Sequence, residues 1–336
     1  MREVEKMDHK TLMKKTIHRE KCQHIPVAFW RHFPVDDQDP YGLARSTIAF
    51  QELFDFDFVK VSPPSSFCLK DWGASDVWNG EPEGTRDYQG AVIKNPDDWS
   101  QLKVLDPTAG YLGSQLECLT LIKSGLRPDT PFVQTIFSPL AQAKNLAGKT
   151  NILHQMREYP DQLKSGLKTI VLSTQLFIEE CQKIGIDGVF YAVQHGSYDL
   201  MSEMEFNEFG WAYDSMLFDY IQPFWLNVLH IHGVQIMFDL IRNKYPFHVV
   251  NWHDRETSPS LKDAQEIVQG AICGGLSRVE TMVLGNSGSI EKEFKDAVSQ
   301  TGATGFVLGT GCVLPLTTPM GNIFSAVKLA HNYSPG

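Results

Sequence analysis

No stretch of this chain approaches the roughly 18 consecutive apolar residues of a membrane span, and the opening MREVEKMDHK holds no apolar signal core. No C-x-x-C pair occurs. Cys22, Cys68, Cys118, Cys181, Cys273 and Cys312 are scattered, which argues against a disulfide framework and for reduced thiols in a cytoplasmic protein. Positive charge is scarce as well: 30 Lys and Arg stand against 40 Asp and Glu, a formal net charge of -10. Neither nucleic acid nor an anionic membrane is therefore an expected partner. The one basic cluster, HKTLMKK, reads as a solvated amphipathic segment. Internal repeats are absent, and the closing NYSPG reads as a frayed end.

What is present is ordinary globular material, 42% apolar and 21% charged over 336 residues. Short β-rich runs alternate with amphipathic, helix-like segments. The runs lie at residues 25–33, 56–62, 131–138, 186–194, 226–233, 247–254, 271–276 and 305–311. Several are apolar nearly throughout, as strands covered on both faces must be. Between them lie helical patterns such as PDQLKSGLKTIVLSTQLFIEECQKIG, SPSLKDAQEIVQG and GSIEKEFKDAVSQTG. Ser caps open the last two, and Gly closes the first and last. Eight strands with helical crossovers predict an α/β chain folded as a single (β/α)8 TIM barrel, residues 1–336, a fold typically of about 250 residues. The surplus falls at residues 63–130, rich in Pro, Gly, Asp and Trp, and is expected to pass over the barrel mouth. A doubly wound open sheet would need a Gly-rich phosphate turn after its first strand. AFWRHFPVDD offers none.

Active sites of such barrels form where the strands end, and these ends carry unusual chemistry. In WLNVLHIHGVQIMFDL, His230 and His232 are two residues apart, so a strand aims both imidazoles at one face. The eighth strand runs into GTGC and delivers Cys312. Two imidazoles and a thiolate are preferred ligands of Zn2+, which keeps an open position when catalytic. His253, one strand over, is placed to fill that position until substrate displaces it. Taken singly, an H-x-H in an apolar run is a common core feature and a lone Cys a small buried hydrophobe; their joint placement at strand ends favours a metal. Other polar residues at these ends are Arg31, Gln194, His195, Trp252, Arg255 and Glu280, candidates to contact substrate. For three of their neighbourhood the plainer reading is structural: Asp254, Arg255 and Glu256 as an ion-pair network, with Glu280 capping a helix. Trp72 and Trp78 are candidates to line a flat apolar ring site.

In order, IPVAFWRHFP, FVKVSPPSSFCLKDWG, FSPLAQAKNLAG, LHIHG and LGTGCVLPLTTPMGN resemble the uroporphyrinogen decarboxylase superfamily from about residue 22 to 330. The most specific part is Gly-x-Gly-x-x-x-Pro-x-x-x-Pro-x-x-Asn near the end. The resemblance implies a single (β/α)8 barrel and one of two chemistries. The decarboxylases, which act on uroporphyrinogen III in haem biosynthesis without metal, share an arginine-rich first strand, an Asp after strand two, a Tyr after strand three and a late His. Here Arg31 meets the first arginine position, but the Asp position falls near Ser62 and Pro63, SPLAQAKNLAG lacks Tyr, and Thr310 stands at the His position. A tetrapyrrole with many carboxylates needs several guanidinium partners, so these departures matter.

The other branch comprises zinc-dependent, cobamide-linked methyltransferases, including methylcobamide:coenzyme M methyltransferases. Their pattern is His-x-Cys at strand five and a Cys in the last motif. His230 and His232 fall on the first pair, with His in place of Cys, and Cys312 on the third, 80 residues later. The resemblance implies a metal-bound, small-molecule acceptor, with a thiol the first candidate, and a corrinoid methyl donor, free or on a corrinoid protein. Replacing a thiolate by imidazole makes the metal more electrophilic. Competing readings are the decarboxylase, a non-catalytic tetrapyrrole- or corrinoid-binding protein, and a metal-dependent hydrolase. The last uses H-x-H on its first strand in amidohydrolase-type barrels, whereas this pair comes at the fifth.

Overall fold

The computed structural model describes residues 7–334; part of the expected frayed end lies outside them. In chain order the strands are β1 Val59–Val61, β2 Asp76–Val77, β3 Asp87–Tyr88, β4 Phe132–Phe137, β5 Gly188–Val193, β6 Val228–Ile231, β7 Val249–Trp252, β8 Ala271–Leu276 and β9 Phe306–Thr310. Seven of them form one parallel sheet in the order β1-β4-β5-β6-β7-β8-β9. Every residue of these seven is buried, which is why several read as apolar nearly throughout.

The expected strand over residues 25–33 is not a regular one. It joins the sheet through a single bridge, Val27 to Leu308. Ala28 N donates to Leu308 O at 3.0 Å, and Asp57 N to Val27 O at 2.9 Å, so the segment lies between β9 and the lead-in to β1. Two features at the start of the segment prevent a regular ladder. Pro26 has no N–H to donate, and the N–H of Val27 goes to the Asp57 side chain (Oδ2, 2.8 Å) rather than to a neighbouring carbonyl. The fold is thus an α/β arrangement with a curled parallel sheet of seven strands and this bridging segment across its edges.

Helices connect the strands. The longest, Pro160–Ile184, buries Leu163, Leu167, Ile170, Phe177 and Ile178 and ends on Gly185 at φ 80°, a conformation that favours glycine. The helix Leu261–Ile267 is capped by Ser260 as expected. The helix Ser287–Thr301 is instead capped by Asn286, with Ser289 reciprocating three residues in. One apolar set, including Phe58, Val133, Phe190, Val228, Val249 and Val307, fills the inside of the curl. A larger one lies between sheet and helices. No helix among the described residues is long and apolar enough to cross a membrane, and all six cysteines are free.

Residues 63–130 hold the antiparallel pair β2–β3, but also the helix Gly110–Gly125, which buries Leu112, Leu116, Leu119 and Ile122 and serves as the crossover into β4. The irregular part therefore stops near residue 109. Its tip is tied to loops that follow the C-terminal ends of strands: Leu316 N donates to Pro82 O at 2.7 Å, and Arg278 Nη1 to Glu83 at 2.6 Å.

Candidate metal centre

His230 lies inside β6 and His232 just beyond its end, on the same side by strand alternation. His253 follows β7 in the same way. Cys312 comes from the loop after β9. Gly311 lets that loop approach: a Cβ there would stand 2.6 Å from His253 Cα and 2.9 Å from Trp252 O. Thr310 Oγ1 fixes the turn by donating to Cys312 O at 2.7 Å.

These elements bring one ligand atom from each of His230, His232, His253 and Cys312 within 4.8 Å of one another. His230 Nε2 is 3.4 Å from His232 Nδ1, and His253 Nε2 is 3.3 Å from the same atom. Cys312 Sγ stands 3.7 Å from His230 Nε2 and 3.8 Å from His232 Nδ1. With metal–ligand bonds of about 2.0–2.1 Å to nitrogen and 2.3 Å to sulfur, the edges of a tetrahedral zinc site are about 3.3 Å between nitrogens and about 3.5 Å from nitrogen to sulfur. The observed separations lie at or just above those edges.

The partners behind the imidazoles decide where the lone pairs point. Asn251 pairs with His230 across β6 and β7. Its Nδ2 donates to Cys273 O at 2.9 Å and Thr310 O at 3.0 Å, which leaves its Oδ1 as the acceptor 2.7 Å from His230 Nδ1. The proton therefore sits on Nδ1 and the Nε2 lone pair faces the cluster. Glu256 plays the same part for His253, 3.2 Å from its Nδ1, and is itself held by Arg278 at 3.3 Å. His232 Nδ1 has at most one hydrogen for these two lone pairs, so the cluster has more acceptors than donors. A cation resolves that excess, and three nitrogens with one sulfur are donors suited to zinc. Burial alone pushes the Cys312 thiol up, but His230, His232 and His253 around it reverse this and hold it well below its ordinary value.

Two adjoining cavities, of about 560 and 350 Å3, open onto His232 and share Lys144, Lys149 and Gln194. Gln194 accepts from Lys144 Nζ at 3.4 Å, and burial lowers Lys144 to about 8. His195 lines the smaller cavity. It is buried, pushed down to about 3 chiefly by that burial, and its Nδ1 has no hydrogen-bond partner.

Of the other residues expected to meet substrate, Gln194 and His195 are at these cavities. Four are placed elsewhere. Trp252 is fully buried, with its indole donating to Pro259 O at 3.0 Å; alternation turns it away from the face that Asn251 and His253 share. Arg255 donates to Gly275 O and to Asp296 at 2.6 Å, pinning the helix Ser287–Thr301. Glu280 is exposed, and its backbone N–H bonds to Ser277 Oγ at 3.2 Å. Arg31 is half-buried and reaches Leu316 O at 3.4 Å. Trp72 and Trp78 bond to Lys103 O and Glu81 O and line neither cavity. Sequence reasoning missed Asn251, Lys144 and Lys149. The signal for Asn251 was a lone amide in an otherwise apolar strand. Lys60, in β1, is not among the residues expected to meet substrate; its ammonium is buried beside Phe190, donates to Ser62 Oγ at 2.9 Å and is lowered by burial to about 7.

The model of the uroporphyrinogen decarboxylase (URO-D) family matches residues 8–333. No curated protein matches the sequence. Among solved structures, a methyltransferase from Methanosarcina mazei superposes with a TM-score of 0.81 at 19% identity, over 97% of this chain and 98% of that one. A B12-independent methionine synthase from Shewanella sp. W3-18-1, in complex with selenomethionine, gives 0.59 at 11% identity over 91% and 93%. A putative vitamin-B12 independent methionine synthase from Listeria monocytogenes gives 0.54 at 12% identity over 93% and 96%. At these identities the likeness is one of fold.

Proposed function

The chain belongs to the uroporphyrinogen decarboxylase family, and on that premise we propose that it is a zinc-dependent methyltransferase, moving a methyl group from a corrinoid to a thiol acceptor. One observation carries the reading: the lone pairs of His230 and His253 are aimed by Asn251 and Glu256 at the same point as His232 Nδ1 and Cys312 Sγ. His230, His232 and Cys312 would hold the metal, with His253 as the exchangeable fourth ligand. When bound, zinc supplies a Lewis acid that lets a thiol ionise near neutral pH. The structural likeness to a methyltransferase agrees with this reading, which rests on the donor set rather than on that likeness.

The residues of the chain do the rest. Asn251 and Glu256 keep protons on the outward nitrogens of their histidines. Lys144, Lys149 and Gln194 face the space beside His232 and would orient polar groups of the acceptor or corrinoid. We read the sheet and bridging segment as the (β/α)8 barrel of the family, in one domain, with residues 63–130 leaning over its mouth. Methyl transfer forms a sulfur–carbon bond, breaks the cobalt–carbon bond and releases the thiol proton.

The decarboxylase alternative lacks its guanidinium partners. Arg86, which does line the larger cavity, is engaged by Asp76 at 3.0 Å and Asp37 at 3.6 Å. The fold likeness to B12-independent enzymes makes the donor the point to test. Zinc-loaded protein should accelerate demethylation of methylcobalamin by a panel of small thiols, read from the corrinoid spectrum, and Cys312→Ala should lower that rate at least about 100-fold. A zinc-loaded protein that leaves methylcobalamin intact with every thiol contradicts a corrinoid donor.

A further inference from the structure

The opposite edge of the sheet holds a second convergence of imidazoles. Asp57 precedes β1, His24 precedes the bridging segment, and His331 lies at the end of the helix Met320–Asn332. One ligand atom from each lies within 4.8 Å of the others. His24 Nε2 is 3.4 Å from Asp57 Oδ1, and His331 Nε2 is 3.4 Å from Asp57 Oδ2. The strands are parallel, so this group sits at their N-terminal ends while Cys312 and its partners sit at the C-terminal ends.

The plain alternative is a buried carboxylate satisfied by hydrogen bonds, and Asp57 already has them. Its Oδ1 accepts from His9 Nδ1 at 2.8 Å and its Oδ2 from Val27 N–H at 2.8 Å. Neither oxygen needs a further imidazole. Charge-assisted hydrogen bonds run about 2.7–2.9 Å, whereas two ligands on one zinc-sized ion stand about 3.3 Å apart. At 3.4 Å the His24 contact is a hydrogen bond at the long limit, and both separations match the spacing of the second case. His331 Nε2 is buried yet makes no hydrogen bond, which leaves its direction toward Asp57 unexplained by hydrogen bonding. The His9 and Val27 contacts then take the role usual behind a ligating carboxylate, fixing its orientation.

We propose that His24, Asp57 and His331 form a second divalent-cation site. Two nitrogens and one carboxylate oxygen select a borderline ion of the zinc class over calcium or magnesium, which take oxygen ligands. His331 is 21% exposed, against 7% for His24 and 0% for Asp57, and is the most open of the three. The site joins the start of the bridging segment, the lead-in to β1 and the C-terminal helix, three pieces far apart in sequence. It does not depend on the metal proposed for Cys312.

Zinc titration of chelator-stripped protein by calorimetry, with melting curves in parallel, tests this. The wild type should bind two equivalents. Cys312→Ala should keep one, and zinc should still raise its melting temperature. His331→Gln and His24→Gln should each also bind one, and the double variants with Cys312→Ala none, with no melting shift. A wild type that takes up a single equivalent, abolished by Cys312→Ala and untouched by His331→Gln and His24→Gln, overturns the second site and leaves the first. A single equivalent lost in His331→Gln but kept in Cys312→Ala supports the second site and overturns the first.

Discussion

Asn251 Oδ1 lies 2.7 Å from His230 Nδ1, and that one contact determines which nitrogen of His230 meets the cluster. Second partners of this kind typically contribute 10–100-fold to metal affinity. Asn251→Ala should therefore weaken zinc binding by about that factor, measured by competition against a chelator. Asn251→Asp, which keeps an acceptor, should bind more tightly than Asn251→Ala. Equal affinity of Asn251→Ala and wild type would remove Asn251 from the site.

Gly311 tests the approach of the Cys312 loop. An added Cβ would meet backbone atoms of His253 and Trp252 at 2.6 and 2.9 Å, which cannot yield as a flexible side chain does. Gly311→Ala should lower stability by about 1–3 kcal/mol and, by moving Cys312, reduce zinc affinity. Denaturant melts and metal competition check both parts. Wild-type behaviour in both would mean that the close approach is not required.

A pH dependence follows from Asp214. It is buried and accepts hydrogen bonds from Tyr191 at 2.8 Å and from Tyr245. Burial raises its carboxyl from 3.8 to about 7, and the phenols offset only part of that. Between those values the folded chain keeps a proton that the unfolded chain releases. This group's contribution to stability is therefore full below about 4 and declines as pH rises through about 7. Asp214→Asn cannot ionise, so the wild type should lose more stability than the variant between pH 5 and pH 8. Parallel losses in melting experiments would contradict the assignment.

Much of this arrangement was legible in the sequence, for identifiable reasons. AICGGL was expected as a strand at 271–276 and is β8, Ala271–Leu276, because a short run buried on both faces leaves no ambiguity of period. The segment at 25–33 was overread as a full strand because the Asp57 side chain takes the Val27 N–H, a contact between residues 30 apart that no local pattern encodes. His230 and His232 were recognisable from strand alternation. The same rule, carried into β7, separates Trp252 from His253, yet proximity along the chain had grouped them. Asn251 and Lys144 escaped because single polar residues in apolar segments usually signify packing, and only the folded neighbours reveal what they orient.

The central claim is a metal held by His230, His232 and Cys312, and elemental analysis of freshly purified protein beside Cys312→Ala and the His24→Gln variant of each tests it most directly. The expected result is that the zinc lost on replacing Cys312 amounts to about one equivalent in either background, with the chain still folded. Zinc content unchanged by Cys312→Ala in both backgrounds, or absent from every protein even after reconstitution, would contradict it.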